Sequence, residues 1–113
     1  MKLSTTLVHG VTVAELEGSL DTNTSGDAEE ALVRVLDRGA TRLLLDFEKV
    51  DFVASSGLRI LLVIGKRMKA DGGALRICSL NETVNEVFEI SGFNMILNVD
   101  ATRDEALKGF EGS

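Results

Sequence analysis

Two adjacent serines and a glycine, Ser55-Ser56-Gly57, stand where an apolar run gives way to apolar residues at helical spacing. Leu43-Leu44-Leu45-Asp46-Phe47 reads as a buried strand, and Leu58, Leu61, Leu62, Gly65 and Met68 follow at intervals of three and four. A serine hydroxyl is thereby offered at the start of a helix. Unpaired backbone N–H groups and the positive end of the helix dipole favour an added phosphate there, so phosphorylation is the chemistry this placement suits. The competing reading is structural: a serine that caps a free N–H stabilises by about 1 kcal/mol with no further role. Asp21, within Gly18-Ser19-Leu20-Asp21-Thr22-Asn23, carries the same ambiguity. It is a turn residue, or a carboxylate that accepts hydrogen bonds from an incoming partner.

Other chemistries lack their parts. His9 is the only histidine, so neither a histidine-based metal site nor a serine–histidine–acid triad can be assembled, and a serine hydrolase built on Ser55 has no base. Gly57, Gly65, Gly72 and Gly73 match neither phosphate-cradling glycine pattern. No catalytic residue, metal ligand or cofactor is assigned. Arg59, Lys66, Arg67 and Lys69 give the second helix a basic side, which suits either solvent or a docking partner. Cys78, the only cysteine, reads as a small core thiol.

These groups need a scaffold, and 113 residues supply one domain with a single core. Net charge is -6, which disfavours the sequence-independent attraction to nucleic acid. Met1-Lys2-Leu3-Ser4-Thr5-Thr6 is no secretion signal, and the longest apolar run, Ile60 to Ile64, falls far short of the roughly 20 residues of a membrane span. A cytoplasmic location is expected. Alternation around His9-Gly10 predicts an antiparallel hairpin, and Thr22-Asn23-Thr24-Ser25 precedes a helix carrying Ala28, Ala31, Leu32, Val35 and Leu36. A strand over 43–47, a helix over 55–70, a strand over 74–78 and an Asn81-capped helix ending at Gly92 follow. A last strand is expected over Met95–Val99, then a helix opened by Thr102 with Ala106 and Leu107 inward, and Glu111-Gly112-Ser113 should fray. The fold class is α/β: a mixed sheet of four or five strands with helices packed mainly on one face.

Val50-Asp51-Phe52-Val53-Ala54-Ser55-Ser56-Gly57-Leu58-Arg59-Ile60-Leu61-Leu62 resembles the signature of STAS domains of the anti-sigma factor antagonist type. Gly18-Ser19-Leu20-Asp21 is similar to their upstream loop, and the stretches 69–75 and 86–93 also follow the family pattern in order and spacing. The resemblance covers about Leu7 to Leu107 and implies that residues 1–113 are a single STAS domain. It implies a partner switch rather than an enzyme: the unmodified protein binds an anti-sigma factor that is also a serine kinase of the GHKL type and so releases that factor's client. Phosphorylation breaks the complex, and a PP2C-type phosphatase resets it. Alignment on the glycine places the acceptor at Ser55, with Ser56 as the alternative. Asp21, Thr22, Ser56, Gly57 and Arg59 become partner-binding candidates. Family members often carry Asp or Ser before the acceptor, whereas this chain has Ala54. A second implied role is an accessory subunit of a membrane transport complex, gripping an ATPase or permease without phosphoryl transfer.

Overall fold

The computed structural model describes residues 1–111, and Gly112-Ser113 of the tail expected to fray lie outside them. Nine principal elements follow one another as β1 (Lys2–Val8), β2 (Val11–Leu20), α1 (Ser25–Asp37), β3 (Arg42–Val53), α2 (Ser55–Ala70), β4 (Ala74–Cys78), α3 (Glu82–Ser91), β5 (Asn98–Asp100) and α4 (Arg103–Gly109). The strands form one sheet in sequential order. The β1–β2 hairpin is antiparallel, and every later neighbour is parallel, joined through a helix. His9 and Gly10 close the hairpin with φ of 49° and 81°, a left-handed pair whose twist matches that of the strands it joins.

The first half of the central strand, Leu43 to Phe47, is apolar but for Asp46, and it is buried throughout because both of its sides are covered. Leu43, Leu45 and Phe47 enter the main core beneath α1, α2 and α3, together with Leu32, Leu61, Ile64 and Phe88. Leu44 points the other way, joining Val11, Val13, Cys78, Ala106 and Phe110 in a smaller cluster under α4. Three helices therefore cover one face and the short α4 part of the other.

Two boundaries differ from expectation. The strand expected over 43–47 runs from Arg42 to Val53, because pairing with β2 carries it past the exposed Glu48 and Lys49 that interrupt the apolar run. Two register shifts absorb the mismatch and leave Leu20 opposite Val53. The strand expected over 95–99 begins only at Asn98. Phe93 and Leu97 are the residues that reach the core, and a 3₁₀ turn over Phe93–Met95 brings them there, with Leu97 N donating to Phe93 O at 2.8 Å. Met95 and Ile96 are left exposed.

Candidate functional site

Leu20 and Val53 end neighbouring parallel strands, so the Asp21 loop and the start of α2 emerge side by side at the strands' C-terminal edge. In open α/β sheets this edge is where ligands and partners gather. The two segments are tied by backbone: Ala54 N donates to Leu20 O at 2.9 Å. Ala54 is also the N-cap of α2, in extended conformation (φ -88°, ψ 172°), and its carbonyl accepts from Gly57 N (2.9 Å) and Leu58 N (3.1 Å). A methyl group cannot accept from the free N–H groups of the first turn.

The capping role weighed for the serines is therefore not the one observed, since the cap is Ala54. Ser55 is the first helical residue, exposed, and its hydroxyl has no hydrogen-bond partner among the described residues. Ser56 turns inward, half-buried, with its Oγ 3.2 Å from Ser25 Oγ. Gly57 is buried against Leu20: a Cβ there would lie 2.7 Å from Leu20 Cγ and 2.8 Å from Leu20 O. Its place in the site is as the point of close approach between loop and helix. Arg59, one turn beyond Ser55, is exposed and forms no ion pair among the described residues.

The Asp21 loop is ordered by its own side chains. Asp21 Oδ1 accepts from Asn23 N (2.9 Å) and Thr24 N (3.2 Å), while Asp21 N donates to Thr24 Oγ1 (2.9 Å). Thr24 Oγ1 donates in turn to Ser19 O at 2.7 Å. This is the turn role anticipated for Asp21, and it leaves Oδ2 without a described partner. Ser25, 7% exposed, has its hydroxyl within reach of both Asp21 O and Ser56 Oγ, which stitches the loop to α2. Thr22 projects from the loop, exposed and unbonded among the described residues. The structure thus gathers Asp21, Thr22, Ser55, Ser56 and Gly57 at one edge, with Arg59 adjoining. It places no imidazole in the site, since His9 sits on the hairpin turn. No group of three or more His, Cys, Asp or Glu residues among the described residues could hold a metal ion.

Sequence reasoning passed over two features. The Ser25 bridge has no local signature, since its partner is 31 residues away. On the α4 face, buried Asp46 receives Arg103 Nε at 2.8 Å, and Arg103 also reaches Glu15 at 2.6 Å. Hydrogen bonds to Glu15 and then Asp46 raise the guanidinium pKa further above its usual range. A carboxylate inside the run Leu43–Phe47 was the signal that could have revealed this clamp. Nearby Cys78 is buried as expected, and desolvation pushes its thiol up to about 11.

Comparison with known proteins agrees with this geometry. The STAS domain model matches residues 2–106. BtrV of Bordetella bronchiseptica is 35% identical over 111 residues, spanning 98% of this chain and 96% of the relative. An anti-sigma F factor antagonist of Paenibacillus polymyxa is 29% identical over 106 residues, 90% of this chain and 88% of the relative. Among solved structures, the phosphorylated form of the Bacillus cell fate determinant SpoIIAA superposes with a TM-score of 0.72, covering 97% of this chain and all of that one at 23% identity.

Proposed function

The chain belongs to the STAS domain family, and from that premise we propose that it is an anti-sigma factor antagonist controlled by phosphorylation of Ser55. One observation carries the reading: the Ser55 hydroxyl is exposed and uncommitted at the first position of α2, while the neighbouring Ser56 is engaged with Ser25. A phosphate on Ser55 meets first-turn N–H groups that Ala54 cannot cap, so the helix start accommodates the new charge. The partner does not. Asp21, Thr22, Ser56 and Arg59 form the docking surface around Ser55, held in shape at Gly57. A dianion inside that contact has to be desolvated when the partner docks, which typically costs several kcal/mol.

In this scheme the unmodified protein binds an anti-sigma factor of the GHKL serine kinase type in the cytoplasm and frees its client. The kinase supplies ATP and Mg²⁺, so this chain is a substrate and not an enzyme. A PP2C-type phosphatase restores binding, and residues 1–113 act as one STAS domain. Incubation with the cognate kinase and ATP, read by mass spectrometry, should place one phosphate on Ser55; phosphate mainly on Ser56 refutes the assignment. Titration calorimetry against that kinase should give near wild-type affinity for Ser55→Ala and a steep loss for Ser55→Asp. Equal affinities for the two variants would leave Ser55 a bystander.

A further inference from the structure

The β1 edge of the sheet is long, regular and uncovered. Among the described residues Lys2–Val8 pairs only with β2, through seven residue pairs without a register shift. Val8 and Val11 close the two-residue turn, so the even residues of β1 exchange hydrogen bonds with β2. The N–H and C=O groups of Leu3, Thr5 and Leu7 consequently point away from the sheet. Natural edges are usually blunted by proline, by charge or by a bulge. Here there is no proline, and Lys2 is the only charged residue of the strand. Leu7 is 72% exposed.

We propose that two copies of this chain pair through β1, antiparallel about a two-fold axis at Thr5, to form one continuous sheet. That axis sets Thr5 against its own counterpart and Leu3 against Leu7 of the second copy. The residues it aligns are the three whose backbone groups face outward, so each N–H meets a carbonyl, with two bonds at every aligned pair. A slip by one residue would set inward-bonded groups against outward ones. The side chains agree. Leu3, Thr5 and Leu7 lie on the α1 side of the sheet, where Leu7 borders a groove with Val35 and Arg38 and Leu3 borders one with Asp27 and Glu30. The axis brings exposed Leu7 over the second copy's Leu3 and swings Arg38 toward the second copy's Asp27, the acid of that groove left over once Glu30 has paired with its own Arg34 at 2.7 Å. Within one copy neither Asp27 nor Arg38 has an ion pair among the described residues. This end-to-end charge match selects a second copy over an unrelated strand. The Ser55 sites lie at the C-terminal ends of the parallel strands, which point in opposite directions across the axis. Both stay open, and the pairing stands or falls apart from the Ser55 reading.

Sedimentation equilibrium on the full chain tests this. The expected mass is twice the 12.1 kDa of one copy. Thr5→Pro deletes an outward N–H without touching a bond to β2, a substitution that edge strands tolerate, and should yield a folded monomer with unchanged far-ultraviolet circular dichroism. Leu7→Lys, which alters no backbone group, should also abolish the dimer and decides the matter if the proline variant does not fold. Arg38→Glu should weaken association, and adding Asp27→Lys should restore it. A monomer at the highest soluble concentration overturns the proposal. So does a dimer that survives in both folded Thr5→Pro and Leu7→Lys.

Discussion

Replacing Gly57 by alanine probes whether close approach between the Asp21 loop and α2 positions Ser55. The added methyl would sit 2.7 Å from Leu20 Cγ, 2.9 Å from Leu20 Cδ2 and 2.8 Å from Leu20 O. A rotamer change could relieve the first two contacts, although Leu20 is only 1% exposed and has little room. The carbonyl cannot retreat without lengthening its 2.9 Å hydrogen bond from Ala54 N. Overpacking of this kind costs about 1–3 kcal/mol. The weakened hydrogen bond adds about 1 kcal/mol, and the better helix propensity of alanine returns up to about 1 kcal/mol. A net loss of about 1–3 kcal/mol corresponds to a Tm lower by roughly 4–15 °C in a domain of this size. Calorimetry on wild type and Gly57→Ala measures it directly. The loss should be accompanied by slower phosphorylation of Ser55, since α2 is pushed away from the loop. A variant that melts within a degree of wild type would show that loop and helix separate freely, and the positional argument for the site would fail.

Ala54→Ser supplies the missing cap on a backbone already extended for it and should stabilise by about 1 kcal/mol, seen as a Tm higher by several degrees. Arg103→Gln leaves Asp46, only 3% exposed, facing Glu15 without a cation; urea denaturation should register a loss of about 3 kcal/mol. The thiol of Cys78 should react with an alkylating reagent at pH 8 only after unfolding. Its folded pKa of about 11 lies above the 9.0 of a free thiol, so its contribution to stability is complete below pH 9 and is lost as pH rises through 11. The urea midpoint should fall over that window more steeply in wild type than in Cys78→Ala.

Much of the architecture is local and was legible from residue order. The hairpin turned at His9-Gly10, α2 began at Ser55 and ended at Ala70, and Asn81 and Thr102 capped the helices they precede. Each depends on periodicity or on a cap a few residues away, which the chain displays on its face. The extension of β3 to Val53 did not show, because its second half is held by β2 rather than by its own apolar pattern. The short β5 was likewise overestimated: Ile96 is apolar yet 63% exposed, and only packing determines which of two apolar neighbours turns inward.

The amino-acid order by itself determined the family, the α/β class and a serine at the head of a helix beside an upstream acidic loop. Tertiary structure decided what each of those residues does. Parallel pairing of Leu20 with Val53 put the loop against the helix, Ala54 rather than a serine became the cap, and Ser25 took hold of Ser56 and left Ser55 free. The same holds for Arg103, which clamps Asp46 across 57 residues. Spacing along the chain encodes contacts between near neighbours, whereas a hydrogen bond between distant segments exists only once sheet register has fixed which side chains meet.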